Sequence, residues 1–458
     1  MSVAMCPGCF EKQQRIDRLE AENQRLKQQL RYRQRQAEQG FFGSATPSSK
    51  IPLKANSADE KKSLPGGLKP GHAGYGRQSI EPGEADRIED IPVDPRCPDC
   101  GGQLEDKGSR RRSVIDCQPL RAQHLVYRLE KKYCPRCGQS VQAQAPGVLP
   151  KHLLGNQLIT RILILHYRDG LPLGTVCEQL GIALGTVVQM LHRLATLFQG
   201  IWPRLLQQYR LSPVRHAYET GWRTDGRGCY AWLFATPSLS LFLFRSTRSA
   251  QVAQEVLGAS PLAGVLVVDR YNAYNRAPCA LQYCYAHLLR EVEDLAKEYP
   301  DSAEVIAFTV TLIPLLAAAM HLRSQPLSDL PYYQQATQLQ QQIQAVTAQP
   351  AQHLGIRRIQ DIFTENSPRL YHWVTNRQVP ADNNRAEREL RPTVIARKVS
   401  FGSQSEAGAK TREILMSLVH TLRKKVLDPE SHFKRVLDQL ALHPTLNPLD
   451  LLFPPDTS

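Results

Sequence analysis

Apolar positions along the chain fall into distinct regimes. In residues 10–38, Ile16, Leu19, Leu26 and Leu30 occupy heptad a and d positions, with Asn23 at the a position between them and no Gly or Pro to interrupt. That spacing predicts a helix with a short coiled-coil seam, its polar a residue fixing register; a single solvated helix has the same pattern. Residues 40–96 lose all periodicity and turn rich in Ser, Pro, Gly and mixed charge, which reads as a disordered linker or an extended arm. Over 157–210 the helical period returns. There, Thr175-Val-Cys-Glu-Gln-Leu-Gly181 precedes Thr186-Val-Val-Gln-Met-Leu-His-Arg193. Two short amphipathic helices joined across Gly181 fit a helix-turn-helix, although plain helical bundles share the pattern.

After Ser212 the period shortens. Residues 214–217, 229–235 and 239–244 read as three strands in hairpin succession, with turns marked by Asp225-Gly226 and Pro237. A helix is expected at 250–257, then a short apolar strand, Gly264-Val-Leu-Val-Val-Asp269, that ends in a carboxylate. Helices dominate from residue 286 onward. The order points to a multidomain α/β chain. Its expected parts are a coiled coil (10–38), a linker (40–96), a metal ribbon (97–145) and a helical segment (150–210). An α/β core (212–425) with a helical insertion near 295–375 and a C-terminal helical tail (426–458) follow.

The 458 residues suit two to four such units, and 42% hydrophobic content supplies their cores. Lys and Arg outnumber Asp and Glu by 57 to 43, a net charge of +14, so a polyanion is the simplest partner. Residues 1–8 lack the charged-then-apolar run of a secretory leader. The apolar stretch at 305–320, interrupted by Pro314, suits a buried helix better than a membrane span. A cytoplasmic protein with reduced thiols is expected, its paired cysteines binding metal.

Cys97-Pro-Asp-Cys100 and Cys134-Pro-Arg-Cys137 are two such knuckles, each followed by Gly. Four thiolates suit a closed tetrahedral Zn²⁺ site. Cys6-Pro-Gly-Cys9 is a third pair with no evident counterpart. Asp269, at a strand end, faces the crevice where α/β folds bind ligands. Downstream, Asp382-Asn-Asn-Arg-Ala-Glu-Arg-Glu-Leu-Arg-Pro392 suits a helix capped by Asp382, with Glu387 ringed by Arg385, Arg388 and Arg391. A solvated helix with Glu387 paired to Arg391 explains the same residues.

In order, the chain carries the zinc knuckles, Val267-Val-Asp-Arg-Tyr-Asn-Ala-Tyr274, Cys284-Tyr-Ala-His-Leu-Leu-Arg290, Asp382-Asn-Asn-Arg-Ala-Glu-Arg388 and Ser400-Phe-Gly-Ser403. Together these resemble the insertion-sequence 66 family of bacterial transposases over nearly the whole length. The resemblance implies a ribonuclease-H-like core that binds double-stranded DNA at transposon ends and joins it to target DNA. It also implies an Asp-Asp-Glu triad holding two Mg²⁺ or Mn²⁺ ions, a homo-oligomer, accessory transposition proteins and no membrane. Two ions of this kind would activate the attacking hydroxyl and stabilise the leaving oxygen. Asp269 is then the second carboxylate and Glu387 the third. The first position departs from the family: His216-Ala-Tyr-Glu-Thr220 has Tyr218 where an aspartate is usual. A phenol, with a pKa of about 10, is a poor Mg²⁺ ligand. Glu219 is adjacent but should point to the other face of the strand, away from Asp269. Cys284 and His287 have the spacing of a metal pair. The more economical expectation places His287 and Arg290 near phosphate, with Arg397, Lys398 and Lys410 as further DNA contacts.

Overall fold

Strand β3, Val214–Thr224, sits in the middle of a five-stranded sheet whose two faces are both covered. In the computed structural model, residues 14–27, 83, 103, 122–137 and 139–453 are described. The chain divides into two units, Met1–Pro52 with Ala122–Ser458 and Leu53–Arg121. Only residues 83 and 103 of the second are described, and everything below concerns the first. Cys6, Cys9, Leu30, Cys97, Cys100 and nearly all of the expected linker lie outside the described residues.

Residues 14–27 form helix α1, every residue of it exposed, Ile16, Leu19 and Leu26 included. A two-stranded hairpin follows, β1 (Lys131–Cys134) antiparallel to β2 (Gln139–Gln142), which places Cys134 at a strand end and Cys137 in the turn. Helix α2 (Asn156–Leu163) continues through a wider π turn, Ile164–Arg168. Helices α3 (Leu173–Leu180) and α4 (Leu184–Leu197) are bent by 115° to each other. Gly181 closes α3 in the left-handed region at φ 67°, which glycine adopts without steric cost. Val176, Leu180, Val187, Met190, Leu191 and Leu194 bury the inner faces of this pair. Helix α5 (Ile201–Leu211) then leads into the sheet.

β3 pairs antiparallel with β4 (Arg227–Ala235), which pairs antiparallel with β5 (Ser240–Arg245). The hairpin turn is Asp225-Gly226, at φ 51° and 70°; two central residues with positive φ match the right-handed strand twist. Helix α6 (Ala250–Leu257) crosses over to β6 (Val265–Val268), parallel to β3, and β6 is followed by the parallel strand β7 (Ala280–Tyr283). The order is β5-β4-β3-β6-β7. Helix α7 (Tyr285–Glu298) leaves β7. The helical stretch α8 (Ala303–Leu322), α9 (Asp329–Thr347), α10 (Leu354–Glu365) and α11 (His372–Thr375) comes next. The chain returns to the sheet as α12 (Asn384–Ser400) and α13 (Glu406–Lys425), then ends in α14 (Pro429–Leu442) and α15 (Pro448–Leu452).

Three elements differ from the sequence reading. β3 runs seven residues beyond Ala217, because both its faces are buried and the alternation that marks a half-exposed strand is missing. β7 went unread because its central Gln282 looks polar. In the fold, Gln282 is fully buried, donating to the carbonyls of Tyr283 and Leu370 and accepting from the His372 amide. The apolar stretch at 305–320 is part of a longer helix, α8, which is long and apolar enough to cross a membrane by length and composition. Here Val305, Phe308, Leu312, Leu316 and Ala319 are buried on one side, against α7 and α9.

Candidate active site

The two faces of β3 carry different chemistry. His216, Thr220 and Trp222 point toward α12 and the turn that follows it, as their partners show, and Tyr218 shares their face by strand alternation. His216 Nδ1 bonds Asn383 Oδ1 at 2.8 Å, and Trp222 Nε1 donates to the Ser403 hydroxyl at 3.3 Å. Asn383 Nδ2 also donates to the Ala217 carbonyl at 2.8 Å, so its Oδ1 is the acceptor and His216 carries its proton on Nδ1. Burial holds His216 neutral, its pKa down to about 4. Asn383 thus occupies the N-cap position of α12, while Asp382 one residue earlier accepts the Asn384 amide at 2.9 Å. The Asn383 side chain is committed to β3 and makes no capping bond, so the side-chain acceptor at the helix start is the Asp382 carboxylate.

At the other end of α12, Phe401 (φ 60°) and Gly402 (φ 130°) reverse the chain. The Ser403 amide donates to the Arg223 carbonyl and the Asp225 amide to the Ser403 carbonyl, both at 2.9 Å. This is the structural content of Ser400-Phe-Gly-Ser403: a Cβ on residue 402 would meet Arg223 O at 2.3 Å. Arg397 Nη1 adds a bond to the Gly221 carbonyl at 2.6 Å.

Asp269 follows β6 and is buried. The parallel pairing ends with His216 against Val267, and Asp269 and Tyr218 each lie two residues past that last pair. One Asp269 oxygen accepts the Tyr271 amide at 3.0 Å. Burial first, and then the nearby carboxylates Glu219 and Glu387, push its pKa up to about 8. Glu219 does turn to the opposite face of β3 from Tyr218. Its carboxylate accepts from Arg248 Nε at 3.0 Å and from the Tyr274 hydroxyl at 2.5 Å. Yet it is not remote from Asp269, and its influence there exceeds that of Glu387.

Glu387 sits in the first turn of α12, its side chain 12% exposed, with Oε1 3.8 Å from His287 Nε2. His287 lies one turn into α7, is buried, and stands 6.1 Å from the Tyr218 ring, centroid to centroid. Burial, helped by Arg290 and Arg270, lowers its pKa to about 3, so the ring is neutral. Cys284 is the N-cap of the same helix; its Sγ accepts the Asn383 amide at 3.1 Å, and burial, reinforced by Glu387, raises its thiol to about 12. His287 therefore faces Glu387 and Tyr218 rather than solvent. Of the basic residues read as DNA contacts, Arg388, Arg391 and Lys398 are exposed along α12, and Lys410 is exposed on α13 beside Glu413 at 2.6 Å. Arg290, Arg385 and Arg397 are half-buried, and Arg397 is spent on β3. The Glu219, Arg248 and Tyr274 cluster was not foreseen; Arg248 lies just after β5, where no local pattern marks its role.

Residues 151–411, more than half of the chain, match the transposase IS66 family. Among curated proteins, three uncharacterized proteins of Sinorhizobium fredii (strain NBRC 101917 / NGR234) are similar over most of their length. The one named y4jD is 25% identical over 418 residues, covering 80% of this chain and 79% of its own. The one named y4qI is 26% identical over 420 residues, covering 81% and 75%. The matched span contains the whole five-stranded sheet, Asp269, Cys284, His287 and Glu387, and the chain belongs to the IS66 family of transposases.

Proposed function

We propose that this chain is a DNA transposase in architecture and in DNA recognition whose strand-transfer chemistry is disabled at Tyr218. The strand order β5-β4-β3-β6-β7, with the first three strands antiparallel and the last two parallel to β3, supports a ribonuclease-H-like core. Within that core, Asp269 at the carboxyl end of β6 and Glu387 on α12 are the proposed second and third carboxylates. The observation that carries the reading is the register of β3 against β6, whose last pair, His216 with Val267, supports Tyr218 as the residue standing where a first carboxylate would face Asp269.

Family membership implies a divalent metal in general. A pair of Mg²⁺ or Mn²⁺ ions needs carboxylate oxygens and retained water. The residues present do not fit such a pair. Tyr218 offers a phenol where a carboxylate is needed, and Glu387 faces an imidazole and a thiol. What its residues do support is DNA binding. Arg388, Arg391 and Lys398 line the exposed side of α12, and the bent α3–α4 pair is the proposed DNA-reading unit for insertion-sequence ends. The Cys97, Cys100, Cys134 and Cys137 set is proposed to hold a structural Zn²⁺. The exposed apolar seam of α1 would join copies into a homo-oligomer, with target DNA and accessory transposition proteins completing the assembly in the bacterial cytoplasm, at the nucleoid. Tyr218 also favours a second reading, a transposase remnant or repressor that occupies element ends without cutting them.

The test is strand transfer on DNA carrying the cognate ends, comparing wild type with Tyr218→Asp in Mg²⁺ or Mn²⁺. Binding without transfer in the wild type, and recovered transfer in the variant, are expected. Robust wild-type transfer that Glu219→Gln abolishes overturns the face assignment. Folded, DNA-binding protein inactive in both forms favours the remnant reading.

A further inference from the structure

We propose that Cys284, His287 and Glu387 form a binding site for a single thiophilic divalent cation of the zinc type. Their ligand atoms, one thiol sulfur, one imidazole nitrogen and one carboxylate oxygen, all lie within 4.8 Å of one another. Two donors bound at roughly 2.0–2.1 Å to one tetrahedral ion stand a little over 3 Å apart; the 3.8 Å between His287 Nε2 and Glu387 Oε1 is close to that edge before any ion draws them in.

A second observation points independently to a ligand. His287 is 1% exposed, and neither ring nitrogen has a hydrogen-bond partner among the described residues. A buried imidazole with both nitrogens idle forfeits the hydrogen bonds it makes in water, a cost of about 1–3 kcal/mol per polar group. Coordination of one nitrogen removes much of that cost. The neutral ring needs no proton displaced, and the Cys284 thiol releases its proton to solvent as sulfur binds. The Asn383 amide already donates to that sulfur, as outer-shell donors do to metal-bound thiolates.

The donor set decides the class of ion. Mg²⁺ and Ca²⁺ prefer oxygen throughout, whereas a thiolate with an imidazole selects Zn²⁺ and its soft analogues. Three protein donors leave one tetrahedral position for water or an incoming ligand. The spacing has a local cause: Cys284 at the N-cap and His287 one turn later share a face of α7, and the β3–Asn383 contacts bring the first turn of α12 alongside. The site stands on these contacts and shares Glu387 with the carboxylate set proposed above; its test reads bound metal, so its failure and that of the strand-transfer reading are told apart.

The test uses purified full-length protein, stripped of metal and loaded with Zn²⁺ or Co²⁺, with metal counted per chain by mass spectrometry. His287→Gln, Cys284→Ser and Glu387→Gln are each compared with wild type after their fold is checked by circular dichroism. Each folded variant is expected to hold one ion fewer than wild type, since any other thiolate site contributes equally to both. The Co²⁺ form of wild type should show a sulfur-to-metal charge-transfer band that weakens in Cys284→Ser. Glu387→Gln changes a partly exposed residue and serves as the decisive arm should the buried substitutions fail to fold. Equal metal counts in wild type and a folded variant overturn the proposal.

Discussion

The Tyr274 hydroxyl donates to Glu219 Oε2 at 2.5 Å, and that bond, with the Arg248 pair, fixes the carboxylate on the face of β3 opposite Tyr218. Glu219 is 1% exposed and Arg248 18% in their side chains, so the pair is shielded from water. Removing one member of such a pair strands the other. Glu219→Ala is expected to lower unfolding free energy by about 3 kcal/mol, measured by chemical denaturation. Glu219→Gln, which keeps an acceptor for Tyr274, should lose less. A cost under ~1 kcal/mol for the alanine variant would show that the cluster is looser than described.

DNA affinity should fall steeply with salt, because each phosphate contact releases counterions. Arg388 and Arg391 are exposed on α12, one helical turn apart. Replacing both with Gln is expected to weaken binding and to reduce the slope of log K against log salt by about 2. Fluorescence anisotropy over a salt series measures it. An unchanged slope would move the DNA-binding face elsewhere.

Acid should destabilise the fold, and His166 is one reason. Arg412 donates to its Nε2 at 2.8 Å, so Nδ1 carries the proton and bonds the Leu171 carbonyl at 2.7 Å. Burial, with Arg412 opposite, lowers the His166 pKa from 6.5 to about 3. Between those values the unfolded chain binds more protons than the folded one, so stability falls as pH falls through that window. His166→Gln is expected to flatten the dependence of melting temperature on pH between about 6 and 4, relative to wild type. An equal slope in both would assign the acid sensitivity to other groups.

Gly402 is expected to tolerate no side chain. An alanine there meets the Arg223 carbonyl and must also hold φ near 130°. Gly402→Ala should cost about 2 kcal/mol or more of stability through backbone strain alone. Thermal unfolding of the two proteins is the comparison.

The ribbon cysteines predict their own zinc. Cys97→Ser with Cys134→Ser should remove one ion per chain, counted by mass spectrometry, and leave untouched the ion assigned to Cys284 and His287. Loss of both ions together would mean that the two sites are not separate.

Much of this was legible in the residues, and the exceptions share a cause. The hairpin at Asp225-Gly226, helix α6 and the glycine closing α3 follow from turn chemistry and period, both of which are local. Asp269 and Glu387 could be singled out because each sits in a distinctive run. The length of β3, the strand β7 and the pairing of Glu219 with Arg248 could not, because each depends on burial by segments remote in sequence. Gln282 is polar and yet lies in the core; His287 reads as a phosphate contact and is buried beside Glu387.

Helix α12 is fastened to β3 at both ends, by Asn383 at its start and by Arg397 and Ser403 at its finish. The backbone that positions Glu387 is therefore fastened to β3 on both sides of position 218. In genetic terms, a tyrosine codon becomes an aspartate codon by a change of its first base alone. A gene for this chain thus stands one base change from an aspartate at position 218, the substitution on which the proposed recovery of strand transfer turns.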